Sequence, residues 1–285
     1  MALVQDYNFH RLPCHGRNRT GGHTVQTIPA SDIILHIRDE GPRDGRVVMF
    51  GNSLGTDLRV WDALLPLLPA GLRIVRYDKR GHGLSDATPA PYSIDRLVSD
   101  AEAVCDGLSL RDITFVGLSI GGLIGQGLAA TRPELVRALV LMDTAAQIGT
   151  AQMWQDRIDT INRDGVAALA DPILKRWFTP RFRDTNPEFA LWRNMLTRTS
   201  VAGYTGCCAA IAGADLTDST RALTLPVMAM AGDQDGSTPP DLVRATAALC
   251  GADFHLIADA GHIPCVEQPE ATAKLLTDFL KRTAP

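Results

Sequence analysis

The sequence predicts an α/β fold with a mostly parallel central sheet, helices on both faces and an inserted helical cap. Three observations carry this. Short apolar runs recur along the chain, most of them followed by a helical pattern. The later runs are apolar at almost every position, as strands covered on both faces are. The rhythm then stops between about residues 146 and 225, where Trp154, Trp177, Phe178 and Trp192 fall at helix-like spacing and no convincing strand occurs.

The elements follow in order. Alternation begins near Val25. Ile33–Ile37 and Arg46–Phe50 are the first two strand-like runs, and this early pair is readable as a hairpin. Leu72–Asp78, Ile113–Val116, Ala138–Met142, Val227–Met230 and Phe254–Ile257 read as parallel strands joined by crossover helices. A helix continues through Leu123–Ala130, and another runs from about Glu270 to Lys281. The predicted organisation is a core of residues 25–145 and 226–285, interrupted by a helical cap of 146–225. Residues 1–24 carry His10, His15, His23, Arg11, Arg17 and Arg19 but no apolar stretch of a secretory signal. They read as a disordered N-terminal extension with no function placed in it.

The bulk numbers fit that reading. A chain of 285 residues with 45% hydrophobic and 21% charged residues suits one large α/β domain or a domain with an inserted subdomain. A net charge of −4 points to neither nucleic acid nor an anionic membrane surface as the partner. No apolar run is long enough to span a bilayer. The six cysteines form no CxxC pair and no zinc-like cluster, and Cys207 and Cys208 are adjacent. They read as free thiols in a reducing cytoplasm. The expected partner is a small molecule, with the chain a monomer or a homo-oligomer.

The chemistry centres on FVGLSIGGLIGQGLA, Phe115 to Ala129. Gly117-Leu118-Ser119-Ile120-Gly121 fits G-x-S-x-G between a strand-like run and a helical pattern. That is the strand–turn–helix setting in which a serine stands exposed on a sharp turn. Small neighbours tolerate the turn, and the helix N-terminus supplies N–H groups toward developing negative charge. A glycine-rich packing turn is the bland alternative.

A serine nucleophile needs a base and an orienting acid, here in the order serine, acid, histidine. Asp235 stands in a loop after a strand-like run and before a helix. Asp233 competes for the role, with Asp235 further out along the loop. His262 lies beyond the last strand-like run, in Asp259-Ala260-Gly261-His262-Ile263-Pro264. Donors for an oxyanion complete the set. One is the N–H of Ile120, directly after the serine. The second comes from the loop Gly51-Asn52-Ser53-Leu54-Gly55, and the backbone of Leu54 is assigned to it.

This order of motifs, from about Val25 onward, resembles the α/β-hydrolase superfamily. RYDKRGHGLSD (Arg76–Asp86) matches its D-x-R-G-x-G-x-S segment, which implies a structural role for His82. Together with NSLGTDLRVWD (Asn52–Asp62), GLSIGGLIGQGLA (Gly117–Ala129) and DTAAQIGTAQMWQDRI (Asp143–Ile158), it resembles the 3-oxoadipate enol-lactonase family. Asn52-Ser53 replaces the His-Gly of many relatives, as is typical of that family.

The resemblance implies a Ser119–His262–Asp235 triad that opens an enol lactone with a free carboxylate arm, without metal or organic cofactor. It also implies a cation near the pocket. Arg59, Lys79, Arg80 and Arg157 are the candidates, Arg80 the weakest, and Trp154 is a candidate roof. The competing functions are a general carboxylesterase or other lactonase, a perhydrolase, and a ligand sensor that does not turn over.

Overall fold

The structure is a computed structural model that describes residues 25–284. The predicted N-terminal extension and Cys14 lie outside the described residues. The strands are β1 (Gln26–Ala30), β2 (Ile33–Glu40), β3 (Arg46–Gly51), β4 (Leu72–Tyr77), β5 (Ile113–Leu118), β6 (Val136–Met142), β7 (Val227–Gly232) and β8 (Asp253–Ile257). They form one sheet in the order β1-β2-β4-β3-β5-β6-β7-β8. β2 runs antiparallel to β1 and β4, and all other neighbours are parallel.

The early hairpin is therefore not the one the sequence suggests. β2 folds back on β1 through Ser31–Asp32, with Ser31 at φ +48°, and its other edge takes β4. β3 instead enters the parallel part of the sheet, between β4 and β5. β1 is hidden in the sequence by Pro29. At the sheet edge a missing N–H is tolerated.

The central strands are buried along their whole length. β5 and β7 have no exposed position, which requires cover on both faces. The cover includes α1 (Ile94–Gly107), α2 (Ile120–Thr131), α9 (Pro240–Leu249), α10 (Pro264–Glu267) and α11 (Pro269–Arg282). α1 starts where the Ser93 side chain accepts from Arg96 N. It buries Ile94, Leu97, Val98, Ala101, Val104 and Cys105, one face of a helix. Between β6 and β7 the chain forms α3 (Ala151–Asp164), α4 (Ala170–Trp177), α5 (Pro180–Thr185), α6 (Phe189–Thr197), α7 (Val201–Ala212) and α8 (Thr217–Arg221). No helix among the described residues is long and apolar enough to cross a membrane.

This helical layer is docked at defined points. A Cβ on Gly203 of α7 would stand 2.2 Å from the Gly81 carbonyl oxygen, and one on Gly81 would stand 2.2 Å from Gly203 Cα. The two backbones are thus in direct contact. Ser200 Oγ donates to the same Gly81 carbonyl at 3.2 Å. On the other side Glu267 accepts from Thr179 N at 3.0 Å, Thr179 Oγ1 at 2.7 Å and Gly261 N at 2.7 Å.

Candidate active site

Ser119 joins β5 to α2 at φ +57° and ψ −119°, a strained conformation for a residue with a side chain. Strain of about 1–3 kcal/mol persists only where the surroundings enforce it. Here the neighbouring strand does so. Ser119 N donates to Met142 O at 2.9 Å, and Thr144 Oγ1 donates to Ser119 O at 2.6 Å.

The three glycines around Ser119 answer to space. A Cβ on Gly117 would meet Gly121 O at 2.3 Å, one on Gly121 would meet Gly51 O at 2.1 Å, and one on Gly122 would meet Thr144 Cγ2 at 2.4 Å. The two arms of the elbow touch each other, and the helix start touches the loop after β3.

That loop, Asn52–Gly55, is buried and pinned by the segment after β4. Asn52 accepts from Trp61 Nε1 at 2.7 Å and donates to Tyr77 O at 2.9 Å. These bonds explain an asparagine at this position. Lys79 Nζ donates to Ser53 O at 2.5 Å and Thr56 O at 3.2 Å. His82 Nε2 accepts from Gly55 N at 3.0 Å, so the ring is neutral on that nitrogen and belongs to the loop's support. Burial, then the Lys79 charge, push the His82 pKa well below its ordinary value. The backbone N–H groups of Leu54 and Ile120 have no partner among the described residues. Buried N–H groups are rarely left so.

Asp235 follows β7 and His262 follows β8. His262 Nδ1 lies 2.9 Å from Asp235 Oδ2, with both side chains buried. Asp235 also accepts from Ser237 N at 2.7 Å, Thr238 N at 3.1 Å and Thr238 Oγ1 at 2.7 Å. Burial alone would raise its pKa. The His262 charge and these donors outweigh burial and hold it low, so Asp235 is an anion. Asp233 is exposed and, among the described residues, accepts only from Ala260 N, at 3.2 Å. His262 is positioned from above as well, since its N–H donates to Trp177 O at 2.8 Å.

The predicted substrate contacts fare differently. Arg59 is bonded through Nε and Nη2 to Asp57, at 2.9 and 2.6 Å. It lines a cavity of about 940 Å³ between Thr56–Ala63 and α6 that includes neither Ser119 nor His262. Arg80 is buried in a two-pronged pair with Asp100, and Lys79 is committed to the loop carbonyls. Trp154 is buried and donates to Ile148 O at 2.6 Å, with the Arg157 guanidinium 4.6 Å from its ring centroid. The Arg157 charge also acts on the buried Tyr204 hydroxyl. Burial and Cys208 push that hydroxyl's pKa up, and the Arg157 charge opposes them.

Sequence reasoning missed the side chains that face the loop from the helical layer. A Cβ on Gly55 would stand 2.7 Å from Leu196, 3.1 Å from Tyr204 and 3.2 Å from Trp177. It also missed Asp143, fully buried beside Asp235 and His262. One signal was available. Asp143 directly follows a parallel strand, as Ser119 does, and ligand sites of such sheets gather at the strands' carboxyl ends.

Comparison with known proteins identifies the family. The family model described as alpha/beta hydrolase fold matches residues 46–269. The chain is 36% identical to 3-oxoadipate enol-lactonase 2 of Acinetobacter baylyi, over 91% of this chain and 98% of that protein. The crystal structure of the enol-lactonase from Burkholderia xenovorans superposes with a TM-score of 0.87 at 35% identity, covering 90% of this chain and all (100%) of that one. A thermophilic esterase from Thermogutta terrifontis gives 0.85 at 25% identity, covering 92% and 100%. The chain belongs to the alpha/beta hydrolase fold family, and it is a hydrolase of ester bonds related to the enol-lactonases.

Proposed function

We propose that the protein opens 3-oxoadipate enol-lactone to 3-oxoadipate, a step of protocatechuate and catechol breakdown, through an acyl-enzyme on Ser119. The observation that carries the reading is the strained elbow at Ser119, with the unpartnered N–H groups of Leu54 and Ile120 and the Asp235–His262 pair on adjoining loops. The enol-lactonase activity of those relatives supports the choice of lactone.

The steps follow from these parts. His262 takes the Ser119 proton while Asp235 holds the imidazole and faces the imidazolium that forms. Ser119 Oγ bonds to the lactone carbonyl carbon, and the Leu54 and Ile120 N–H groups receive the oxyanion. Collapse breaks the ring C–O bond. The leaving enolate takes that proton from His262 and becomes a ketone, which draws the reaction forward. Water, deprotonated by His262, then attacks the ester carbonyl, and Ser119 recovers its proton as the diacid leaves. No step calls for a metal or an organic cofactor. Arg157, held over Trp154, is the cation assigned to the substrate carboxylate, although the cavity it lines includes neither Ser119 nor His262.

The test is ultraviolet loss of the enol lactone with wild type and Ser119→Ala. Fast loss that the substitution abolishes supports substrate and nucleophile together. No loss, alongside turnover of p-nitrophenyl acetate, discards the lactone and keeps an esterase. Turnover of neither discards the enzyme reading for a sensor.

A further inference from the structure

Asp143 is a second carboxyl group in the same buried cluster. One ligand atom each from Asp143, Asp235 and His262 lie within 4.8 Å of one another. Asp143 is 0% exposed. Its Oδ1 accepts from Gly232 N at 2.9 Å, and its Oδ2 has no hydrogen-bond partner among the described residues. An ionised carboxylate with a bare oxygen in this setting is costly, and two carboxylates in one site do not both ionise readily.

The two acids differ in their donors. Asp235 accepts from four groups, including His262. Asp143 accepts from one. The charge therefore settles on Asp235 and the proton on Asp143.

We propose that Asp143 is a neutral carboxylic acid in the working protein, its proton on Oδ2 against the Asp235 carboxylate. It is a positioning residue that keeps a single negative charge facing His262. Burial is the first reason its proton is held, and the Asp235 charge is the second. The other groups that face it are His262, Cys265 and Glu267, on the loop after β8 and on α10. Burial keeps the Cys265 thiol protonated, so it adds no charge. Glu267 adds only to the pressure on Asp143 to stay neutral. The three-atom cluster is not a vacant cation site, because Asp235 and His262 already bond each other.

The consequence is a tuned base. With two charges beside it, the imidazole would hold its proton to higher pH and would be a poor acceptor for Ser119. The neighbours of Asp143 have a related task, since Met142 O and Thr144 Oγ1 hold the Ser119 elbow. One strand end thus fixes the nucleophile through Met142 and Thr144 and the acid through Asp143.

The proposal rests on the catalytic roles above, so its test pairs a measurement that needs no turnover with one that does. Infrared difference spectra near neutral pH are expected to show the carbonyl band of an un-ionised carboxyl group in wild type, lost in Asp143→Asn. In the acid limb of kcat/KM, Asp143→Asn removes no charge if Asp143 is neutral, and the limb stays where it is. Removing a unit charge within 4.8 Å of His262 would lower that limb by about 2.5 pH units at an effective dielectric of about 20. A missing infrared band, or a limb lowered by that amount, overturns the proposal. If wild type turns over no ester, the catalytic reading fails by itself and the infrared band still decides the protonation state.

Discussion

Replacing Lys79 by methionine separates a charge from the loop it supports. Lys79 is 2% exposed, with Nζ on the carbonyl oxygens of Ser53 and Thr56. Burial pushes its pKa down from 10.5 to about 8, against the opposing pull of Cys207, Asp78 and Asp57. The folded chain therefore releases this proton near pH 8, and the unfolded chain keeps it to about 10.5. Between those values the unfolded state binds more protons, so this lysine makes stability rise with pH. A shift of 2.5 units, from 10.5 to about 8, corresponds to about 3 kcal/mol.

Methionine has no such dependence. It also strands two buried carbonyls, at about 1–3 kcal/mol each, which near pH 7.5 roughly offsets the relief of the buried charge. Urea unfolding of both proteins from pH 7.5 to 10.5 should give near-equal stability at the low end. At the high end the variant should trail by about 3 kcal/mol more. Titrations that both proteins share, such as Cys105 and Cys208, cancel in the difference. Turnover should fall at least about ten-fold, since a fully lost oxyanion donor costs about 10²–10³. A stability difference flat across the range would refute the buried-charge argument. Unchanged kcat would refute the claim that Lys79 holds the loop in register.

Three further outcomes are expected. Asp235→Asn should lose about 10⁴-fold in kcat, as loss of a triad acid does, and Asp233→Asn less than about ten-fold; equal losses would reassign the acid. Gly121→Ala pushes a methyl to 2.1 Å from Gly51 O and should cost about 1–3 kcal/mol of stability together with most of the turnover, measured by thermal unfolding and ester hydrolysis. Arg157→Met should raise KM for the carboxylate-bearing lactone about ten-fold or more and leave KM for p-nitrophenyl acetate nearly unchanged; parallel changes for both would remove Arg157 from the substrate carboxylate.

The parallel core was legible because β5 and its neighbours are apolar at successive positions, a local property. The positions of Ser119, Asp235 and His262 were legible for a related reason: each comes within a few residues of the end of a strand-like run, so parallel topology alone gathers them at the carboxyl ends of the strands. β1 was not legible, because Pro29 is compatible with a strand only at an edge, and edges are defined by pairing. Arg59 looked available in sequence because nothing there reveals its two bonds to Asp57. Asp143 was invisible as a chemical group for the converse reason. Its protonation depends on Asp235, 92 residues away in sequence (235 − 143), and on a burial that no local pattern encodes.

The contact between Gly81 and Gly203 has a consequence for descent. Each residue occupies the room the other's side chain would need, so neither tolerates a side chain unless the backbones part. The helical layer is consequently not a module to be exchanged at its two junctions with the sheet. A lineage that acquires a different layer has to inherit a glycine opposite Gly81 or rebuild the turn after β4. That turn carries Lys79 and His82, which support the loop facing Ser119. Diversification of what the protein accepts is thereby tied to the same few atoms that keep its chemistry in place.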